Sequence, residues 1–378
     1  MPEHVHGYVA HGLEPVREAF AATLAGGGGS FAAHAADGPL VELWGGIADP
    51  GAGRAWQEDT LQLVFSGTKG LAAACLALLA DRGELALDAP VARYWPAFGQ
   101  AGKGAITVAE ALSHRAGLAG IVAAVSQSDV LDPDAMAALV AAQAPFWPPE
   151  GRLAYHALTY GWICHGLVRA ITGETVGSLF RGAFGDPLGL DLWIGLPAAL
   201  EPRVSQIVRD GWAIGDPPRH VEYGRTVFGP DLFGETLPWN TPAWHRAEIP
   251  AGNAIGTAPA LARFYACLAN GGRADGRQLV SAQAIDVARR SLSEGFDAIY
   301  DAPLAFGAGF ELQHPDAPRF GPDPDAFGHS GAGGSLHAAW PARRIGISYC
   351  TNVMRPEQSD DRGRSILRAL DACLEDST

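Results

Sequence analysis

Lysine is nearly missing from this chain of 378 residues: of 27 basic residues only Lys69 and Lys103 are lysines, and the rest are arginine. Arginine stays protonated at any working pH and cannot accept a proton, whereas burial or a neighbouring cation can lower the pKa of a lysine. Cysteine is sparse too. Cys75, Cys164, Cys267, Cys350 and Cys373 are odd in number, far apart and without C-x-x-C spacing, which argues against disulfides and a zinc site. Cys75 and Cys164 lie within apolar helical runs and read as small buried hydrophobes. No basic run offsets the net charge of −14, which argues against nucleic acid and anionic membranes as partners. No uncharged apolar stretch is long enough to span a bilayer. The opening Met-Pro-Glu-His-Val-His has no basic segment leading into an apolar one, so the expected location is the cytoplasm. Also missing are a G-x-S-x-G elbow, H-E-x-x-H, a Walker A loop and G-x-G-x-x-G, and His4-x-His6 lacks the acidic partners of a metal site. No metal or cofactor is expected.

What is present begins with one of the two lysines. In Val64-Phe65-Ser66-Gly67-Thr68-Lys69-Gly70, Lys69 follows Ser66 at i+3. The run Gly70 to Ala80 is rich in strong helix formers and apolar nearly all round, which predicts a buried helix. Residues three apart share a helical face about 5–6 Å apart at Cβ, so the two side chains can meet. A serine in the first turn also sits near unpaired N–H groups at the positive end of the helix dipole. Two readings fit: a serine nucleophile with an amine base in S-x-x-K spacing, or a serine N-cap followed by a surface lysine. A buried helix leaves little surface for the second.

A composition of 48% hydrophobic and 18% charged residues is that of a folded chain, long enough for one large domain or two packed ones. Residues 12–25 form an amphipathic helix pattern ending at glycines 26–29. Segments 30–36 and 39–48, split by Asp37-Gly38-Pro39, read as a hairpin. A helical middle runs to about 200, residues 205–250 are irregular and aromatic, and a helix pattern covers 257–270. Strand patterns return at 305–313, 335–340 and 344–351. Strands at both ends with helices between predict one sheet built from both termini and an inserted helical part.

In this order the chain resembles the serine β-lactamase-like superfamily, in particular the family VIII carboxylesterases and their class C β-lactamase and D-peptidase relatives. The resemblance covers nearly the whole length. It rests on Ser66-Gly-Thr-Lys69, Asp88 to Pro96, Leu112-Ser-His-Arg-Ala-Gly-Leu118, and Pro149 through Tyr155-His-Ala157 to Gly161. Ile171-Thr-Gly173, Pro187-Leu-Gly-Leu190, Ala251-Gly-Asn-Ala-Ile-Gly-Thr257, Asn270-Gly-Gly272 and Phe327-Gly-His329-Ser-Gly331 follow in sequence. The fold implied is α/β (α+β) and β-lactamase/transpeptidase-like. Its antiparallel sheet is flanked by helices, with a sheet-containing part at about 1–65 and 255–378 and a helical, irregular part at about 66–254.

The resemblance assigns roles by position. Ser66 is the expected nucleophile, with Lys69 and Tyr155 sharing the general base and acid work on a small-molecule ester through an acyl-Ser66 intermediate. A nearby ammonium is expected to lower the Tyr155 phenol's pKa. The oxyanion hole is expected from the backbone N–H groups of Ser66 and Ala332. His329 and Gly331 fall where substrate is held, His329 replacing a lysine common among β-lactamases and either orienting substrate or supporting the tyrosine. The second motif departs at Ala157, where asparagine is usual and contacts both Lys69 and a substrate amide. His156 could replace part of that contact. These departures favour esters over β-lactams and D-amino-acid peptides or amides, which remain the alternative, as does a non-catalytic binding protein on this fold. Trp212, Trp239 and Trp244 are the candidate lining of an apolar pocket. Oligomeric state is left open.

Overall fold

The computed structural model describes residues 5–148, 152–211, 238–300, 302–356 and 359–375. The two ends of the chain meet in one sheet. From the N-terminal end come β1 (Val5–Val9), β2 (Gly28–Ala35) and β3 (Gly38–Asp49). From the C-terminal end come β4 (Ser293–Phe296), β5 (Pro303–Phe306), β6 (Glu311–Leu312), β7 (Phe327–Gly331), β8 (Ser335–Trp340) and β9 (Ile345–Thr351). Their order is β1-β3-β2-β9-β8-β7-β6-β5-β4, with a short strand Arg54–Ala55 pairing off β3. All neighbours are antiparallel, and the seam between the two ends is β2 against β9, registered Phe31 to Tyr349 and Ala33 to Ile347.

Seven helices matter for the site: α1 (Glu14–Ala21), α2 (Thr68–Asp81), α3 (Val108–Leu112), α4 (Pro133–Ala142), α5 (Thr159–Thr172), α6 (Ala258–Ala269) and α7 (Arg362–Glu375). Their ends follow local chemistry. Thr107 and Glu110 form a reciprocal capping box on α3, Thr257 caps α6 with Pro259 in its first turn, and α5 stops at Gly173 with φ 75°. Side-chain alternation along the strands divides two cores. Phe31, Ala33, Leu336, Ala338, Trp340, Ile345, Ile347 and Tyr349 face α1 and α7, while Ala32, Ala339 and Cys350 face the larger core containing α2, α5 and α6. Covered on both faces, the central strands read as apolar runs. α6 approaches the sheet so closely that a Cβ on Gly346 would lie 2.1 Å from the Ala262 carbonyl oxygen, so only glycine permits the contact.

The antiparallel sheet built from both termini, with helices on its faces, is as the sequence predicts. Three details differ. The strand pattern at 305–313 is two strands, β5 and β6, folded back through Gly307–Gly309 with Phe306 opposite Glu311. The pattern misses β7, because Phe-Gly-His-Ser-Gly has neither apolar alternation nor β-branched residues to mark it. β1 and α7 are likewise unmarked.

Candidate active site

The α2 helix explains why Lys69 is unusual. Every residue from Thr68 to Leu79 is buried, and each large aliphatic side chain there contributes about 1.5–3 kcal/mol by leaving water. Lys69 is carried inward with them to full burial. An ammonium cannot remain there unsolvated, and its three donor positions are all used: Ser66 Oγ at 3.0 Å, the Ala157 carbonyl at 2.8 Å and the Ala251 carbonyl at 2.9 Å. Desolvation lowers its pKa to about 7, against a smaller opposing pull from Glu311 and Cys164. The surface-lysine reading is thereby excluded. Near neutrality a large fraction of Lys69 is a neutral amine beside a serine hydroxyl.

Ser66 lies in a single 3-10 turn, Phe65–Gly67, that leads into α2. Phe65 takes a left-handed φ of 47°, which costs a bulky side chain of order 1–3 kcal/mol and is held by packing against Trp239 at 5.7 Å. Beside this turn runs β7. Gly331 has no room for a side chain: a Cβ there would lie 2.4 Å from the Val64 carbonyl oxygen. Ser335 Oγ donates to the same carbonyl at 3.4 Å. The β7–β8 turn, which begins with Ala332, is thereby fixed next to the serine.

Tyr155 is half-buried in the irregular segment before α5, and its hydroxyl is hydrogen-bonded to Ser66. Lys69 Nζ stands 4.8 Å from the centre of its ring. The expectation of a lowered phenol pKa is not met. Desolvation pushes the phenol well above its usual value, the Glu311 carboxylate pushes the same way, and the Ser66 hydrogen bond offsets only part of this. Burial thus disfavours the phenolate of Tyr155, whereas at Lys69 it favours the neutral amine.

The remaining motif residues act chiefly through the backbone. His156 is fully buried, its Nδ1 donating to the Ala154 carbonyl at 2.5 Å and its Nε2 accepting from the Leu118 N–H at 3.0 Å. Both ring nitrogens are spent, so its side chain ties two loops together and has no atom left for substrate. His114 accepts from the His156 N–H at 3.0 Å and packs 4.9 Å from the Tyr155 ring. Ala157 lacks the usual amide, yet its carbonyl holds Lys69, so only half of the expected loss is real. His329 is buried, and its Nδ1 donates to the Ser330 carbonyl at 2.7 Å with Glu311 at 3.5 Å. Desolvation takes its pKa to about 4, so a neutral imidazole occupies this strand position, 6.0 Å from the Tyr155 ring. Trp239 and Trp244 are 1% and 5% exposed and fill the core, and Trp212 lies outside the described residues.

Sequence reasoning overlooked two acids. Glu311 is buried under β7, accepting from the Ser330 N–H and Oγ at 2.9 Å each and facing Arg319 at 3.3 Å. Asp297 is 1% exposed and accepts from three backbone N–H groups, those of Tyr155, Ile299 and Tyr300. Glu311 had a signal, a lone acid in the apolar strand pattern Gly-Phe-Glu-Leu; Asp297 had none. Among the described residues no group of three or more His, Cys, Asp or Glu side chains is placed to hold a metal, and no helix is long and apolar enough to cross a membrane.

A buried amine on a serine, set against a strand edge in this sheet, defines a serine hydrolase of the β-lactamase/transpeptidase-like fold. The chain belongs to the beta-lactamase family, whose sequence model matches residues 16–371. It is 36% identical over 349 residues to the esterase/beta-lactamase LipL of Mycobacterium tuberculosis, covering 88% of this chain and 79% of that protein. A family VIII carboxylesterase structure superposes with a TM-score of 0.90 at 35% identity, covering 98% of this chain and 100% of that one. A penicillin-binding protein homolog from Caulobacter crescentus superposes with a TM-score of 0.88 at 36% identity, again over 98% and 100%. Within the family, this hydrolase stands close to esterases.

Proposed function

We propose that the protein hydrolyses carboxylic esters of small molecules through an acyl-Ser66 intermediate, with transfer to another acceptor as a variant of the second step. The observation that carries this reading is the buried Lys69 amine, 3.0 Å from Ser66 Oγ with its pKa brought to about 7. Neutral Lys69 takes the Ser66 proton as Oγ attacks the ester carbon. The carbonyl oxygen becomes an oxyanion facing the N–H groups of Ser66 and Ala332. The bond to the alcohol oxygen then breaks, and that oxygen recovers one proton from the Lys69–Tyr155 pair. Water repeats the sequence on the acyl group and releases the acid. Positioned proton transfer of this kind contributes about 10²–10⁴ in rate.

The preference for esters rests on two absences of charge or amide at the site. Ala157 offers no side-chain amide for a substrate amide, and His329, with its pKa near 4, offers no cation for a substrate carboxylate. A β-lactamase activity, favoured by the double name of the mycobacterial relative, or a D-peptidase activity is the second reading. A p-nitrophenyl ester, nitrocefin and a D-alanyl peptide compared by kcat/KM decide between them, with the ester expected to lead. A cephalosporin turned over faster than the ester reverses the ranking. A phosphonate inhibitor should label Ser66 alone; a label on another serine, or no turnover of any ester, ends the proposal.

A further inference from the structure

Tyr155 stands in a stretch without regular structure, yet three consecutive backbone N–H groups there are tied down. The Tyr155 N–H goes to the Asp297 carboxylate, and those on either side both go to His114. Ala154 donates to the His114 carbonyl oxygen and His156 to its ring Nδ1, each at 3.0 Å. One residue thus grips the chain on both sides of the tyrosine. The His114 ring also lies 4.9 Å from the Tyr155 ring and meets Phe306 edge-on at 4.3 Å, while Phe306 stacks on Tyr155 at 5.9 Å and 15°.

Histidine suits this position for local reasons. His114 follows α3 by two residues and turns the chain with a left-handed φ of 62°, a region that histidine, asparagine and aspartate enter more readily than most residues with a Cβ. Because a backbone N–H points at Nδ1, that nitrogen carries the lone pair and the ring proton sits on Nε2. Burial drives the imidazole pKa well below its ordinary value, and His156, Lys69 and His329 push the same way, so the lone pair stays available. Nε2 is closed from solvent and has no hydrogen-bond partner among the described residues. Fully buried, His114 offers nothing to substrate directly.

We infer that His114 is a positioning residue: by holding Ala154 and His156 it aims the Tyr155 hydroxyl at Ser66, where that hydroxyl delivers a proton to the departing alcohol oxygen. The inference rests on the ester reaction above and adds to it the residue that places its acid. A single bond at the Tyr155 N–H would let the segment pivot about that point; bonds on both sides remove the freedom. The placement matters because proton transfer requires hydrogen-bond reach, and a displacement of about 1 Å costs up to about 10²-fold in rate.

The test uses two acetates that differ in how much their alcohol needs a proton. p-Nitrophenolate leaves as a stable anion, whereas ethanol must be protonated as it leaves. Both give the same acyl-enzyme, so kcat/KM reports acylation alone. His114→Ala removes the Nδ1 acceptor, while His114→Asn keeps an acceptor oxygen on Cγ and tolerates the left-handed turn; both lose the outer ring. His114→Ala should lower kcat/KM for ethyl acetate by roughly 10–100-fold and for p-nitrophenyl acetate by less than about 3-fold, and His114→Asn should recover most of the loss. Added to Tyr155→Phe, His114→Ala should cost less than about 3-fold more on ethyl acetate, since the hydroxyl it places is already gone. If His114→Ala does not fold, His114→Gln, whose amide overshoots the Nδ1 position, takes its place with the same expectations. Equal losses on both esters, an undiminished loss in the Tyr155→Phe background, or a His114→Asn no better than His114→Ala overturns the inference. So does Tyr155→Phe at the wild-type rate on ethyl acetate, which removes the tyrosine's part and leaves the ester reaction standing. Wild type inactive on both esters removes the ester reaction itself, an outcome visible before any variant is made.

Discussion

In the proposed reaction Lys69 is the base, and its environment makes the pH dependence predictable in sign. A neutral amine is the required form, and burial sets its pKa near 7, so kcat/KM should rise as pH rises through about 7 and level off above it. A profile that falls through that range contradicts Lys69 as base. Lys69→Arg keeps a cation but cannot deprotonate, so kcat should drop by at least about 10²-fold with circular dichroism unchanged. Tyr155→Phe, which keeps the ring and its packing, should cost a similar factor by removing the hydroxyl that serves the alcohol oxygen. Activity close to wild type in that variant would transfer the role to Tyr160, which is fully buried in α5. Asp297→Asn places an amide nitrogen where one backbone N–H now finds an oxygen. One donor is left facing another, which costs about 1–3 kcal/mol. We expect lower kcat/KM for all esters alike, read against the melting temperature.

At the scale of elements, the site is assembled where a helix start meets a strand edge. The helix was legible because α2 is a long run of strong helix formers, whereas β7 was hidden because its two glycines and central histidine break the apolar alternation of a strand. Gly331 has no room for a side chain, since a Cβ would lie 2.1 Å from Ser335 Oγ and 2.4 Å from the Val64 carbonyl oxygen. Gly331→Ala should therefore move the turn that begins at Ala332 away from Ser66. Weakening one oxyanion donor costs about 10²–10³ in rate, so phosphonate labelling of Ser66 should slow by up to that factor. Labelling at the wild-type rate would show that the turn does not supply the second donor.

For the molecule as a whole, the C-terminal end of the chain is fastened next to the site. α7 begins with Arg362, a buried guanidinium whose Nη2 donates to the Gly333 carbonyl at 2.9 Å and the Val353 carbonyl at 2.8 Å and pairs with buried Asp360 at 2.6 Å. The C-terminal helix is therefore braced against the β7–β8 turn. Breaking a buried pair leaves a carboxylate without its partner and costs about 3–5 kcal/mol. Arg362→Met should lower the urea midpoint accordingly. A loss below about 1 kcal/mol would mean that solvent reaches the pair.

Tyr155 was singled out by the resemblance to the family; chain order alone determined a sheet from both ends, a buried helix after Ser66, and Ser66 with Lys69 as residues to examine. Those signals are local, because helix propensity, motif spacing and the rarity of lysine can be read along one line of sequence. Only the tertiary structure decided the electrostatics. Burial lowers the Lys69 pKa but raises that of Tyr155, reversing the expected role of the phenol, because the desolvation of each group depends on everything packed around it. It also decided that Ala157 keeps its contact through a carbonyl, that both ring nitrogens of His156 are bound to backbone, that Trp239 and Trp244 are buried, and that Glu311 and Asp297 stand under the site. Those two acids lie 156 and 142 residues from Tyr155 in sequence. No periodicity links residues so far apart; only the closing of the sheet brings them together.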